Sequence, residues 1–165
     1  MDLRRTCKHL LTTEFKVGRA FPPEALAAIE AAVKKSETRH NGEIRFAVEG
    51  ALHSAALFHG QSARERAIEV FANLRVWDTE HNNGVLIYLL LADRDVEIIA
   101  DRGVHVKVGA DAWEAICRTM ETAFRQGEYR NGVVAGIEAV AQHLARHFPG
   151  MKGRQNELPD SPVVL

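Results

Sequence analysis

A continuous run of eight apolar residues, Val85 to Ala92, is the most prominent feature of the hydrophobic pattern. The run is too short to cross a bilayer, and its large and β-branched residues are typical of a central strand covered on both faces. Asn82-Asn83-Gly84 before it has turn chemistry. Asp93-Arg94-Asp95 after it leads to a second apolar run, Val96 to Ala100. The pattern therefore predicts a β-hairpin.

The pattern before the hairpin predicts a helix, a strand and another helix. The first helix opens at Phe21-Pro22-Pro23-Glu24 and stops at Asn41-Gly42, because proline and glutamate suit a first turn and glycine suits a helix end. Ile44 to Val48 predicts a short strand. Ser62 and Glu65 form a capping box for the second helix. Its predicted buried stripe consists of Ala67, Val70, Phe71, Leu74 and Trp77.

Two further helices are predicted after the hairpin. Asp111 is the expected N-cap of the third helix, whose apolar positions run from Trp113 to Phe124. Gln126-Gly127 breaks it, and Val133 to Phe148 marks the fourth helix. Trp77, Trp113 and Cys117 are each expected to be buried.

The order strand, helix, strand predicts a β-α-β unit with parallel strands. We therefore expect the α/β fold class, as an α/β/α sandwich with a small mixed β-sheet and helices on both faces. Residues 1-20 are expected to form an N-terminal arm, 21-148 the domain, and 149-165 an extended or disordered C-terminal tail with three of the five prolines. Docking of the tail on a partner as an extended strand is the alternative.

Composition and charge narrow the class of protein. The 165 residues are 46% hydrophobic and 26% charged, with a formal net charge of −1, which suits one globular domain. Basic residues do not form a patch along the sequence, so we expect no nucleic-acid or anionic-membrane partner. The first residues lack a secretory signal, and Cys7 and Cys117 form no disulfide framework. We therefore expect a cytoplasmic protein without direct membrane insertion.

Four sequence blocks together resemble the TPM domain family over roughly residues 21 to 148. They read S-E-x-x-x-x-G-E-I-R-F-A-V, R-V-W-D-T-E, N-N-G-V-L-I-Y-L-L-L-A-D-R-D-V-E-I-I-A-D-R-G and F-R-Q-G-E-Y-R-N-G-V. The resemblance implies an α/β/α sandwich, calcium binding as in some bacterial members, and weak acid phosphatase activity as in plant members. It also implies a role in assembling or maintaining membrane complexes. The sequence has Asn83 where many relatives have an acidic residue, and Asp101-Arg102-Gly103 where relatives often have G-x-G.

Polar residues on both sides of the hairpin form the candidate metal site. An antiparallel hairpin brings the residues before its first strand beside those after its second, and their oxygen atoms suit calcium. The candidate ligands are Glu37, Asp78, Asn82, Asn83 and Asp101. The alternative interpretation is a plain turn at Asn82-Asn83-Gly84 with Asp78 as a solvated charge.

Other chemistry is less well supported by the spacing of residues. Arg102 is a candidate for binding an anion such as phosphate, or else the counterion of the acidic cluster. Asp93 and Asp95 form a D-x-D sequence after a strand, as in phosphatases with an aspartate nucleophile, but no helical crossover follows. His143 and His147 have the spacing of a shared metal site, although histidines in a last helical turn more often interact with the dipole.

The sequence favours a non-catalytic TPM-like binding module that takes calcium and contacts another protein, with a membrane-associated protein as one candidate partner. The alternative is a weak metal-assisted acid phosphatase, in which Asp101 and Asp78 hold the metal and Arg102 steers the phosphate. That alternative lacks an evident nucleophile.

Overall fold

The computed structural model describes residues 3–12, 14–150 and 155–165. These residues form eight helices and four strands. The elements are α1 Leu3–Leu10, α2 Glu14–Ala20, α3 Pro23–Ser36, β1 Glu43–Glu49, α4 Ser54–Phe58, α5 Ala63–Asn73, β2 Gly84–Leu90, β3 Asp95–Ala100, α6 Arg102–Val108, α7 Ala110–Arg125, α8 Tyr129–His147 and β4 Val163–Val164.

The strands form a mixed sheet in the order β3-β2-β1-β4. β1 and β2 are parallel, with Glu43 opposite Gly84 and Glu49 opposite Leu90. β3 is antiparallel to β2, with Val85 opposite Ala100. The predicted hairpin and the parallel β-α-β pairing are both confirmed.

Helices cover both faces of β2, which is why its residues form a continuous apolar run. Val85, Ile87 and Leu89 pack into the core under α3, α7 and α8. The alternate residues pack with α5 on the other face; they are Leu86, Tyr88 and Leu90. All six of these side chains are fully buried. The α/β/α sandwich is therefore confirmed.

Several helix ends differ from the sequence predictions. α3 ends at Ser36, before Asn41-Gly42, and an unpredicted helix, α6, follows β3. The prediction of Asp111 as an N-cap is wrong, because α6 continues to Val108 and Gly109, at a φ of 85°, precedes α7. Asp111 instead lies in the first turn of α7, where its charge complements the helix dipole.

Trp77 is 50% exposed, so the prediction that it is buried is wrong. α5 ends at Asn73, and Arg75 adopts a φ of 53°. The helical spacing that would have placed Trp77 on the buried stripe is therefore interrupted. Trp113, by contrast, is buried as predicted.

The described part of the C-terminal tail is extended and lies along β1. The Leu165 N–H donates to the Val48 carbonyl at 2.9 Å, next to the parallel pairing of β4 with β1. The Arg45 guanidinium is buried and donates to the carbonyl oxygens of Pro159 and Ser161. An arginine in an otherwise apolar strand is thus explained by the tail, which pairs with the chain's own sheet.

Candidate functional site

The candidate ligands of the predicted metal site lie around the sheet edge at which β1 and β2 begin and β3 ends, which we call the amino edge. The Glu43 N–H donates to the Asn83 carbonyl at 3.2 Å, and the Asp101 N–H donates to the Gly84 carbonyl at 2.9 Å. These bonds connect the turn before β2 to the start of β1 and to the end of β3.

Asn83 is fully buried and held by its neighbours. Its backbone N–H donates to Thr79 Oγ1 at 3.1 Å, and its Nδ2 donates to the Asn41 carbonyl at 2.7 Å. The carbonyl acceptor identifies the nitrogen of the Asn83 amide and hence the oxygen. That oxygen, Oδ1, is buried and accepts no hydrogen bond from the described residues.

Asp101 is half-buried and caps α6. Its Oδ1 accepts from the Arg102 N–H at 2.6 Å. Its Oδ2 is buried and, like Asn83 Oδ1, lacks a hydrogen-bond donor within the described part of the chain. A buried polar atom left without a partner costs about 1–3 kcal/mol, so two such oxygens beside one hairpin call for a ligand or a functional reason.

The other three candidates have different environments. Glu37 is buried, and its Oε1 accepts from the Ile44 N–H at 3.2 Å, so its carboxylate binds the start of β1. Asn82 is half-buried with a φ of 50°, which agrees with the predicted turn. Asp78 is exposed, and its backbone N–H donates to the Arg75 carbonyl at 2.9 Å. The structure thus places Glu37, Asn83 and Asp101 at the amino edge and leaves Asp78 on the surface.

Backbone carbonyl groups add further oxygens to the amino edge. A Cβ atom on Gly103 would lie 2.5 Å from the Asn82 carbonyl oxygen and 3.0 Å from that of His81. These carbonyls therefore face the first turn of α6, beside Asp101. Within the described residues, no three histidine, cysteine, aspartate or glutamate side chains form a group that could hold a metal. A cation at this edge would depend on amide and backbone oxygens, which favours calcium over zinc.

Sequence reasoning missed the residues that position Asn83. The sequence pattern predicts Asn41 only as part of a helix stop and predicts no role for Thr79. Glu43, which the parallel β-α-β pairing predicts at this same edge, is fully buried, and its Oε1 accepts from the Glu157 N–H at 3.3 Å. The Asn41-Gly42 turn directly before β1 was the one available signal, since residues at the start of parallel strands share an edge.

A buried polar network lies at the opposite end of the sheet. Glu49 closes β1 and accepts from the Tyr88 hydroxyl at 2.7 Å and from Arg66 Nε at 2.8 Å. Burial, followed by the bond to Glu49, raises the pKa of Tyr88. The bond to Glu49 also raises the pKa of Arg66. The network holds Tyr88 protonated and Arg66 charged.

The remaining candidates have structural roles. The His143 ring packs against Trp113 with centroids 5.7 Å apart, and burial lowers the pKa of His143. The His147 carbonyl lies 3.5 Å from Lys107 Nζ. Cys117 is half-buried, and burial raises its pKa to about 12, so its thiol is a poor nucleophile at neutral pH.

The fold and the hairpin define the class of protein: an α/β/α sandwich with an oxygen-rich turn cluster at the amino edge of a mixed sheet. The sequence profile of the TPM domain matches residues 18–143. The chain therefore belongs to the TPM domain family. No curated protein matches the chain significantly.

Solved structures agree with this assignment. BA42 from the psychrophilic bacterium Bizionia argentinensis is 32% identical, with a TM-score of 0.76 over 86% of this chain and 93% of BA42. The N-terminal domain of a P. gingivalis protein is 19% identical, with a TM-score of 0.59 over 73% of this chain and 76% of that one. The N-terminal domain of cg2496 from Corynebacterium glutamicum is 12% identical, with a TM-score of 0.54 over 86% of this chain and 78% of that one. The last two show similarity of fold alone.

Among the described residues, no helix has the length and apolar character needed to cross a membrane.

Proposed function

We propose that this TPM domain is a non-catalytic binding module whose amino edge takes up a calcium ion and thereby controls the surface offered to a protein partner. The supporting observation is that two buried oxygens, Asn83 Oδ1 and Asp101 Oδ2, have no hydrogen-bond donor among the described residues. Calcium satisfies several oxygens at once and accepts carboxylate, amide and backbone carbonyl ligands. It would remove the cost of leaving both oxygens unpaired.

The number of carboxylate ligands determines the calcium affinity that we expect. Asp101 is the one acidic candidate with a buried unpaired oxygen, whereas the Glu37 carboxylate already accepts a backbone N–H. Few carboxylates mean weak binding, with a dissociation constant on the order of 10⁻⁴–10⁻³ M. We propose that Asn83 and Asp101 supply side-chain oxygens and that His81 and Asn82 supply backbone carbonyls.

The turn before β2 connects the proposed ion to a surface. Thr79 and Asn82, which flank the exposed Glu80 and His81, are joined by a backbone bond of 3.3 Å. The Glu80 N–H also donates to the Glu157 carboxylate at 2.8 Å, which links the turn to the C-terminal tail. An ion held by this turn would order both segments. The proposed partner surface is therefore the turn together with the adjacent tail, and a membrane-associated protein is one candidate to bind it.

The phosphatase alternative has no comparable support. Arg102 is exposed on the first turn of α6. Asp93 is engaged by Arg5 Nε at 2.8 Å and lies 3.1 Å from His9 Nε2. Asp93, the first residue of the D-x-D sequence, therefore belongs to an ion-pair network that fixes the N-terminal arm.

A thermal melt of chelator-stripped protein tests the calcium site. Calcium at about ten times the dissociation constant stabilises the folded state by about 1.4 kcal/mol, which corresponds to a rise in Tm of about 3–5 °C. Asp101→Asn keeps the helix cap but removes the charge, so we expect it to lose this shift. Asp111→Asn is the matched control, because Asp111 is exposed in the first turn of α7, and it should keep the shift.

Two results would contradict the proposal. Equal shifts with calcium and magnesium would indicate nonspecific screening, and an unchanged calcium shift in Asp101→Asn would place the ion elsewhere. If the wild type captures its partner equally well with and without calcium, the ion does not control the partner surface, even where it binds at the amino edge.

A further inference from the structure

The opposite end of the sheet, where β1 and β2 end, carries a basic cavity that the sequence did not indicate. We call it the carboxyl edge. The cavity has a volume of about 720 Å³ and lies between the N-terminal arm, the tip of the β2-β3 hairpin and the α7-α8 connection. Its charged lining consists of Lys8, Lys16, Arg19, Arg94 and Asp93. Four cations thus surround one carboxylate.

That carboxylate is already neutralised by other groups. Asp93 Oδ2 lies 2.8 Å from Arg5 Nε and 3.1 Å from His9 Nε2. Within the described residues, by contrast, none of the four cations that line the cavity makes an ion pair. The lining of this cavity therefore carries a net positive charge, although Lys8 and Arg94 also line a smaller neighbouring groove with Asp95 and Glu121. The whole chain, by contrast, has a net charge of −1.

Large apolar side chains protrude beside these cations. Leu10 is 71% exposed, Leu11 is 66% exposed and Phe15 is 78% exposed, and all three lie at the junction of α1 and α2. Leu11 itself lines the basic cavity. Three large exposed apolar side chains so close together in the chain mark an interaction site when polar residues lie around them.

The N-terminal arm is attached to the domain, so detachment does not explain why Leu10, Leu11 and Phe15 are exposed. His9 is buried, and its Nδ1 accepts from the Leu52 N–H at 3.0 Å. Arg5 NH1 donates to the Gln61 carbonyl at 2.9 Å, and Val17 is buried in the main core. α1 and α2 are therefore fixed to the domain while Leu10, Leu11 and Phe15 point away from its core.

We propose that the carboxyl edge docks on the surface of an anionic lipid bilayer. Leu11 lines the cavity together with the cations, and Leu10 and Phe15 are close to Lys8 and Lys16 in the chain. Exposed leucine and phenylalanine side chains next to lysine and arginine form the combination that binds membrane interfaces: apolar groups enter the headgroup region and cations meet the lipid phosphates. The cavity receives a phosphate headgroup between Lys16, Arg19 and Arg94. Lys8 to Lys16 precede residue 18, where the TPM match begins, so this surface is built largely by the arm.

Sedimentation with vesicles tests the proposal. The full chain should bind vesicles of equimolar phosphatidylcholine and phosphatidylglycerol at about 0.1 M salt, and much less at about 0.5 M salt or with phosphatidylcholine alone. The double variant Lys16→Ala/Arg19→Ala should bind about 25-fold more weakly, since each cation near the surface contributes about fivefold. Phe15→Ser should weaken binding about tenfold.

Matched controls separate docking from general effects of charge and hydrophobicity. Lys34→Ala/Arg146→Ala is the control for the loss of charge, because it removes two exposed cations outside the cavity. Val106→Ser is the control for Phe15→Ser: Val106 is 83% exposed on α6, which has seven residues as α2 does. Both controls should bind vesicles as the wild type does. Equal losses in the controls would overturn the proposal.

Other occupants of the surface give distinct results. Absence of vesicle binding together with stabilisation by inorganic phosphate, lost in Lys16→Ala/Arg19→Ala, would mean that the cavity takes a soluble anion and would overturn the membrane proposal. Dimerisation that Phe15→Ser abolishes, without vesicle binding, would assign the apolar side chains to a second copy and would also overturn it. These results do not depend on calcium, so they are independent of the function proposed for the amino edge.

Discussion

The two ends of the sheet differ in how their polar groups are assembled. At the amino edge, Asn83 and Asp101 flank one hairpin, and their unpaired oxygens are buried. At the carboxyl edge, Lys8, Lys16 and Arg94 come from separate segments and are exposed. The residues that a hairpin brings together can be recognised from the sequence pattern. The residues that line a cavity between separate elements depend on how those elements pack. This difference is why we propose an ion at the amino edge and a large anionic surface at the carboxyl edge.

Replacing a glycine by alanine should change the stability of the protein in opposite directions at the two edges. One of these changes is the largest effect that we expect. A Cβ at Gly84 would overlap the Val76 carbonyl oxygen, so Gly84→Ala should lower the free energy of unfolding by about 3 kcal/mol or more. Gly18 in α2 has no other atom within 4 Å of its Cβ position. Gly18→Ala should therefore stabilise by about 0.5–1 kcal/mol, because alanine favours a helix. Urea denaturation measures both; similar values for the two variants would contradict the packing at the amino edge.

The buried network next to the carboxyl edge gives the second effect. Glu49 is 3% exposed and accepts hydrogen bonds from Tyr88 and Arg66. Glu49→Ala leaves the Tyr88 hydroxyl without its acceptor and removes the buried partner of Arg66, so it should cost about 2–3 kcal/mol. Glu69 binds the same Arg66 at 2.9 Å but is half-exposed, so Glu69→Ala should cost about 0.5 kcal/mol. If chemical denaturation gave equal losses, Glu49 would not be the group that holds Arg66.

A pH-dependent effect is the smallest of the three. Burial, then the charges of Glu97, Glu121 and Asp93, raise the pKa of Asp95 to about 6. The folded state therefore binds a proton more tightly than the unfolded state, and stability falls as the pH rises from about 4 to 6. Asp95→Asn should raise stability by about 1 kcal/mol at pH 7, a value that allows for the partial exposure of Asp95, and should have no effect below pH 4.

Thermal melts across this pH range check the prediction for Asp95. Asp78→Asn, which changes an exposed aspartate outside the helices, serves as the control and should leave the pH profile unchanged. A stabilisation by Asp95→Asn that is the same at pH 3 and pH 7 would show that the charge of Asp95 is not its cause.

Local patterns predicted most of the fold. The continuous apolar run of β2, the turn before it and the capping box of Ser62 and Glu65 each depend on neighbouring residues, and each is confirmed. The errors arose where a local signal competed with the packing of the chain. The spacing of Trp77 continued a helical stripe, but the positive φ of Arg75 had already ended the helix.

Long-range contacts were beyond the sequence patterns. Arg45 is explained by the carbonyls of Pro159 and Ser161, more than a hundred residues away. The absence of a basic patch along the sequence led to the expectation of no anionic-membrane partner, yet the fold gathers Lys16 and Arg94 around one cavity. Asn83 and Asp101 could be brought together from the hairpin alone, but the oxygens that remain unpaired could be identified only with Asn41 and Thr79 in place.

The most direct test of the calcium site is an amide NMR titration of chelator-stripped protein with calcium. If a calcium ion binds at the amino edge, the Asn83 side-chain amide and the Asp101 and Gly103 backbone amides should shift and saturate, with a midpoint on the order of millimolar calcium. The signals of Lys16 and Arg19 should not change. The same titration of Asp101→Asn should leave these signals in place. Unshifted signals at Asn83 and Asp101 in the wild type at saturating calcium would contradict the assignment of an ion to the amino edge.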